Sequence, residues 1–216
     1  MIFQLDDKLC FPDPTLADDD GCLAVGGDLS VDRLLLAYQH GIFPWYSFRY
    51  HDEPVWYCPY QRFVIFPSEI HVSHSMRTLM NKRLYSFSIN CDFEGVIHEC
   101  SRLRIEENGA WLGKDMIEAY TELHRQGFAA SVEVWDENKK LVGGLYGVNI
   151  GKAFFGESMF SLVPSGSKLA LIFLARTLER LGGVLIDCQL ETAHLRSMGG
   201  RFISYEEYMQ LISDNS

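Results

Sequence analysis

No two of the six cysteines (Cys10, Cys22, Cys58, Cys91, Cys100, Cys188) form a Cys-x-x-Cys pair, which argues against a zinc or disulfide framework and for buried free thiols. No apolar run approaches the length that crosses a bilayer. The opening MIFQLDDKLCF carries acids where a secretory signal has basic residues ahead of a long apolar stretch, and predicts a cytoplasmic protein. Histidines His40, His71, His74, His98 and His194 show no metal-ligand spacing, so no metal is expected. Positive charge is scarce as well. With 19 Lys and Arg against 29 Asp and Glu, the net charge of −10 excludes a generic nucleic-acid coat, because phosphate neutralisation needs cations. What remains is an ordinary globular composition, 47% hydrophobic and 22% charged. A chain of 216 residues suits one large domain, or one with a smaller appendage.

Charge is unevenly spread. Residues 1–60 hold ten acids and three bases, whereas residues 61–104 hold four acids and six bases: Arg62, Arg77, Lys82, Arg83, Arg102 and Arg104. That stretch is either a solvated helix face or a local basic patch in an acidic protein.

Turn-rich segments (FPDPT, ADDDG, VGGDLS, GIFPWYS) punctuate the first sixty residues around one helix, VDRLLLAYQH, with Ser30 as N-cap and a stop at Gly41. VWYC and RFVIFP read as a β segment interrupted at Pro59 and closed by Pro67, where the domain boundary is expected. Beyond it come a helix capped by Ser73, the strand YSFSINC, a helix from Asp92, and a helix with an Asp115–Glu118 capping box. Three strands then follow on short connections, AASVEVW, LVGGLYGVNI and AFFGESMFS, which predicts an antiparallel meander. A long apolar helix, the buried strand VLIDCQ, a helix, the edge strand RFISY and a terminal helix with a Ser204–Glu207 capping box complete the chain. The expectation is an α+β protein: a small N-terminal α/β domain over 1–66, then a mixed, mostly antiparallel sheet flanked by helices over 67–216. This element order resembles the acetyltransferase-like (GNAT) fold, which by itself does not specify a chemistry.

Two acids stand inside runs that read as buried strand, Glu157 in FFGESMFS and Asp187 in LIDCQLE. Burying a carboxylate unpaired costs several kcal/mol, so each must be paired or face a polar cleft. Pairing with Lys168, Arg176 or a backbone turn is the structural reading; a site for a cation or an amine is the functional one. Strand alternation puts Asp187 and Gln189 on one face, within reach of each other, and Glu157 with Met159 on another. Leu145, Phe154, Met159, Leu171, Leu174 and Leu178 are core residues or, as a set, a slot for an apolar side chain. Phe43, Trp45 and Tyr46 in GIFPWYS form a core corner or a platform for a base, and Trp111 in ENGAWLGKD invites the same two readings. PSGSK, opening the long helix, offers a helix N-terminus to an anion. It holds only Gly166 of the Q/R-x-x-G-x-G pattern of coenzyme A sites, so coenzyme A is not the expected donor.

GGDLSVDRLLLAYQHGIFPWYS, GLYGVNIGKAFFGESMFS and GGVLIDCQL, in this order, closely resemble the leucyl/phenylalanyl-tRNA–protein transferases over nearly the whole chain. The resemblance implies transfer of leucine or phenylalanine from charged tRNA to the N-terminal amine of proteins beginning with Arg or Lys, marking them for N-degron proteolysis. It implies no cofactor, since the aminoacyl ester is already activated, and partners in the 3′ end and acceptor stem of Leu-tRNA and Phe-tRNA; a monomer is the default expectation. It assigns catalysis to Asp187, Gln189 and Glu157, and the side-chain pocket to Leu145, Phe154, Met159, Leu174 and Leu178. Trp45 and Trp111 would receive the terminal adenosine, and Arg77, Lys82 and Arg83 the tRNA stem. Relatives often carry methionine at 145 and phenylalanine at 174 and 178, so three leucines here leave the Leu/Phe preference open. The rivals are an acyltransferase using a small thioester, and a non-catalytic aminoacyl-tRNA or peptide-binding module of the same fold.

Phe154 and Met159, five apart, fall on opposite faces of a regular strand. Joint membership of one pocket therefore predicts a β-bulge near Gly156.

Overall fold

The computed structural model describes residues 2–45, 53–106 and 113–213. The described residues build two sheets. The smaller holds β1 (Phe3–Leu5), β2 (Cys22–Gly26), β3 (Phe43–Trp45) and β4 (Val55–Tyr57) in the order β1-β2-β4-β3, with only β1 and β2 parallel. Helix α1 (Val31–Gln39) links β2 to β3 and starts at Ser30, whose hydroxyl accepts from the Arg33 amide.

The larger sheet has seven strands. In chain order they are β5 (Gln61–Ile65), β6 (Ser86–Ile89), β7 (Ala129–Trp135), β8 (Leu141–Ile150), β9 (Ala153–Ser161), β10 (Leu185–Asp187) and β11 (Arg201–Ser204). Their spatial order is β11-β5-β10-β9-β8-β7-β6. Every pairing is antiparallel except β9 with β10. The predicted meander is β7-β8-β9, and RFISY is an edge strand. Strand β5 lies before Pro67 yet pairs with β10 and β11, so the division between the sheets falls at residues 58–60 rather than at Pro67. VWYC and RFVIFP are thus strands of different sheets. Local pattern identified both as strands but could not assign their long-range partners.

The helices are α2 (His74–Asn81), α3 (Phe93–Glu106), α4 (Lys114–Arg125), α5 (Gly166–Leu181), α6 (Ala193–Ser197) and α7 (Tyr205–Ser213). Ser73 caps α2 and Ser204 accepts from the Glu207 amide at the start of α7. The Asp115–Glu118 box does not form: α4 begins two residues earlier than that box requires, with Gly113 as N-cap and no side-chain cap. Two apolar clusters cover the faces of the large sheet. One joins Leu169, Ala170, Leu171 and Leu174 of α5 with Met76 of α2. The other joins α3, α4, α7 and the small sheet in one continuous core. Cys22, Cys58 and Cys100 are buried and Cys188 is half-buried, whereas Cys10 and Cys91 are exposed, against the sequence expectation. Among the described residues no helix is long and apolar enough to cross a membrane.

Candidate active site

Strand β10 is only three residues long. It pairs Leu185, Ile186 and Asp187 with Ala153, Phe154 and Phe155 of β9, then ends. Asp187 at its tip is fully buried. Its register partner on β5 is Val64, so Arg62, two residues along, projects from the same face. Arg62 Nε lies 3.0 Å from both Asp187 oxygens and Nη2 lies 2.9 Å from Oδ2. The Tyr208 hydroxyl of α7 donates to Oδ2 at 2.8 Å, and the Gln189 backbone N–H to Oδ1 at 2.8 Å. The guanidinium lies over the rings of Phe43 and Tyr208, 4.8 Å from each centroid. Burial alone would lower the Arg62 pKa, but Asp187 beside it holds it above its ordinary value. Asp187 is therefore ion-paired. Its partner is neither Lys168 nor Arg176, and Arg62 belongs to the buried interior rather than to a basic surface patch.

Past Asp187 the strand alternation stops. Gln189 adopts φ +63, a left-handed turn. The turn uses the Gln189 backbone N–H on Asp187 and sends the side chain elsewhere: Nε2 donates to Glu157 Oε1 at 2.9 Å. The expected Asp187–Gln189 link is thus through the backbone, and the side-chain partner of Gln189 is the other acid.

Glu157 is aimed by the predicted bulge. Tyr146 of β8 opposes Ser158 and Gly147 opposes Gly156, which leaves Glu157 as the extra residue on β9. Glycine is required at 147, because a Cβ there would lie 2.1 Å from the Phe155 carbonyl oxygen. The bulge separates Glu157 from Met159, contrary to simple alternation. Met159 packs in the α5-side cluster with Phe154, while Glu157 faces Tyr38 of α1 and Tyr120 of α4 in the opposite core. Tyr38 Oη lies 2.6 Å from Glu157 Oε1, Tyr120 Oη 3.0 Å from Oε2, and the two hydroxyls 2.5 Å apart. Burial pushes the Glu157 carboxyl up to about 7, against the lowering effect of hydrogen bonds from Tyr38 and Tyr120.

Leu145, Phe154, Met159, Leu174 and Leu178 all belong to the α5-side cluster, and Leu145 pairs directly with Met159 across β8 and β9. A cavity of about 300 Å³ is lined by Phe154, Leu174 and Leu178 together with Val132 and Leu181; Leu145 and Met159 lie outside its lining. The PSGSK helix start is partly used internally, since the Ser167 amide donates to Ser161 Oγ at 3.0 Å. In GIFPW, Phe43 and Pro44 are buried, whereas Trp45 is 40% exposed and meets the Tyr57 ring edge-on at 5.5 Å. Trp111 lies outside the described residues. Arg77, Lys82 and Arg83 are exposed on α2 and the turn after it.

Arg62, Tyr38, Tyr120 and Tyr208 were not anticipated from sequence. Arg62 carried a readable signal, a base in an apolar strand just as the two acids are acids in apolar strands. The tyrosines carried none, because a helical tyrosine reads as ordinary core. The same criterion would also have selected Glu133 in AASVEVW. That acid is buried in β7 and is held by Ser88, Ser131 and the backbone N–H groups of Cys91 and Asp92 ahead of α3, a structural role.

A carboxyl with a near-neutral pKa, bonded to an amide side chain at a strand bulge and backed by apolar side chains, suits the handling of an amine in group transfer. Comparison with known proteins gives the class: the chain is an aminoacyltransferase. Residues 64–213 match the family model described as leucyl/phenylalanyl-tRNA protein transferase, and residues 27–59 match the model of that family's N-terminal domain. Proteins named leucyl/phenylalanyl-tRNA–protein transferase from Syntrophobacter fumaroxidans, Syntrophus aciditrophicus and Flavobacterium johnsoniae are 47%, 49% and 46% identical to it. These alignments cover 99%, 98% and 98% of this chain and 91%, 87% and 99% of the relatives. The chain belongs to the leucyl/phenylalanyl-tRNA protein transferase family. Among solved structures, L-PGS from Bacillus licheniformis aligns at a TM-score of 0.41 and 14% identity over 81% of this chain and 55% of that one.

Proposed function

We propose that this enzyme transfers leucine and phenylalanine from aminoacyl-tRNA to the N-terminal α-amine of proteins beginning with Arg or Lys, as a cytoplasmic monomer that marks them for N-degron proteolysis. The observation that carries the reading is the Gln189–Glu157 hydrogen bond at the β9 bulge. It joins an acid to an amide beside the end of β10 and the apolar cluster of α5.

Aminolysis needs a neutral amine held against the ester carbonyl while the tetrahedral oxyanion is stabilised. With Nε2 committed to Glu157, the Gln189 carbonyl oxygen is left to accept a hydrogen bond from the attacking amine. An amide is too weakly basic to take the proton itself. Glu157 touches Gln189 directly and is the nearer proton acceptor, with the 2′-hydroxyl of the adenosine as the alternative. Asp187 acts through the backbone, fixing the turn from which Gln189 projects. Leu145, Phe154, Met159, Leu174 and Leu178 would form the slot for the transferred side chain. Trp45 and Trp111 would stack the terminal adenosine, and Arg77, Lys82 and Arg83 would meet the stem. The parallel β9 and β10, paired over three residues before the bulge, favour an acetyltransferase-like reading of the large sheet.

The test is transfer of labelled leucine from leucyl-tRNA to a peptide beginning with arginine, beside one beginning with alanine and beside Gln189→Ala enzyme. Label on the arginine peptide alone, reduced at least about tenfold in the variant, is the expected result. Equal labelling of both peptides would remove the acceptor assignment; full activity in the variant would remove the role of Gln189.

A further inference from the structure

The contacts around Glu157 contain more polar approaches than two tyrosines can fill with hydrogens. Tyr38 Oη to Tyr120 Oη, Tyr38 Oη to Glu157 Oε1 and Tyr120 Oη to Glu157 Oε2 close a triangle of 2.5, 2.6 and 3.0 Å. Each side needs one hydrogen, and each phenol supplies one. If Glu157 is ionised, the two phenolic hydrogens fill only two of the three sides, and one pair of oxygens, the hydroxyls at 2.5 Å when both phenols donate to the carboxylate, faces without a hydrogen between them. If Glu157 Oε2 carries a proton, every side is filled. Oε2–H donates to Tyr120, Tyr120 donates to Tyr38, Tyr38 donates to Oε1, and a second lone pair of Oε1 accepts the Gln189 amide.

We propose that Glu157 is protonated in the free enzyme near neutral pH, and that Tyr38 and Tyr120 are positioning residues that hold it in a closed ring of three hydrogen bonds. The surroundings favour the neutral form. Tyr38 faces it from α1, Tyr120 from α4 with the Tyr146 ring of β8 edge-on at 5.6 Å, and Gln189 from the turn after β10. The nearest charge, Asp187, is negative and already neutralised by Arg62. Among the described residues no Lys, Arg or His makes an ion pair with Glu157.

The functional consequence rests on the reading that an amine is handled at Glu157. An ammonium group pairing with this carboxyl must first displace the proton: the Oε2–H bond breaks, the proton leaves to solvent, and the carboxylate accepts the ammonium N–H. A neutral amine instead finds a group that becomes a proton acceptor only after the ring opens. Either way the fraction of enzyme ready to accept a proton falls about tenfold for each pH unit below the Glu157 midpoint.

Infrared difference spectroscopy of the free enzyme tests the proton directly and needs no substrate. The expected result is a protonated-carboxyl carbonyl band at about pH 6, absent from the nearly isosteric Glu157→Gln variant, titrating near 7. Its midpoint should shift in Tyr38→Phe and in Tyr120→Phe, each of which opens the ring. Absence of any Glu157-dependent band at that pH, or a midpoint in the ordinary glutamate range, overturns the proposal whatever the enzyme's substrates. A wild-type band whose midpoint is unmoved in both tyrosine variants overturns the positioning role. The transfer rate supplies the second readout. A midpoint of kcat/KM that shifts with Tyr38→Phe belongs to Glu157; one that does not belongs to the acceptor amine, and removes the link between the ring and catalysis.

Discussion

The two buried acids of the site are held in opposite ways. Around Asp187, strands β5 and β10 and helix α7 supply a full counter-charge: a bidentate Arg62 lying over two aromatic rings, with Tyr208 as a further donor. Around Glu157, helices α1 and α4 and the turn after β10 supply only neutral donors. A carboxylate given a guanidinium keeps its charge in the interior, whereas one given phenols and an amide moves toward its neutral form. The first arrangement makes a rigid support and the second a group that can exchange a proton near physiological pH. The two regions meet at Gln189, whose backbone is fixed by the charged acid and whose side chain is bonded to the titratable one.

The largest expected effect comes from breaking the charged side. Arg62→Leu leaves Asp187 buried without its cation and should cost about 3–5 kcal/mol in urea denaturation. The double variant Arg62→Leu/Asp187→Leu should recover most of that loss. A single variant within about 1 kcal/mol of wild type would mean that Asp187 is not held by the ion pair.

The uncharged side should reveal itself through pH. The folded-state pKa of Glu157, about 7, lies above its unfolded value of 4.5, so the folded protein binds the proton more tightly. Its contribution is fully present below about 4.5 and is lost as pH rises through about 7. That difference amounts to about 3 kcal/mol. Thermal or urea unfolding of wild type and Glu157→Gln should therefore diverge in the variant's favour between pH 5 and pH 8, on the order of this amount. Parallel curves across that range would erase the contrast between the two acids.

Tyr208→Phe sharpens the comparison from the supporting side. It removes one donor from Asp187 while leaving Arg62 in place, with an expected loss of about 1–2 kcal/mol in the same denaturation assay. A loss as large as that of Arg62→Leu would make the hydroxyl, not the guanidinium, the main support. Smallest is Ser30→Ala, which uncaps α1 and should cost about 1 kcal/mol. Tyr38 lies two turns from that cap, so the infrared midpoint of Glu157 should stay where it is. A shift would show that the whole of α1, rather than the Tyr38 hydroxyl alone, tunes the acid.

Local chemistry was legible wherever neighbours in sequence decide the outcome. Ser30, Ser73 and Ser204 marked helix starts, Gly41 a helix end, and the short turns between β7, β8 and β9 a meander. Even the bulge was readable, because Phe154 and Met159 could share a cluster only if one residue between them was extra. The failures have one form. Alternation was extended past the end of β10, where a left-handed turn redirects Gln189, and across Glu157, where the bulge breaks it. Strand β5 belongs to the larger sheet, a membership that local pattern does not show because its β10 and β11 partners lie more than a hundred residues away.

The sequence by itself determined that acids stand in apolar strands, that an apolar helix packs beside them, and that the chain belongs to its family, all carried by residue type and short spacing. Only the tertiary structure decided what those acids are. Glu157 meets Tyr38 from 119 residues away, and Asp187 meets Arg62 from 125. A carboxylate's charge state follows from the donors within hydrogen-bond reach, and in a mixed sheet those donors come from strands and helices remote in the chain.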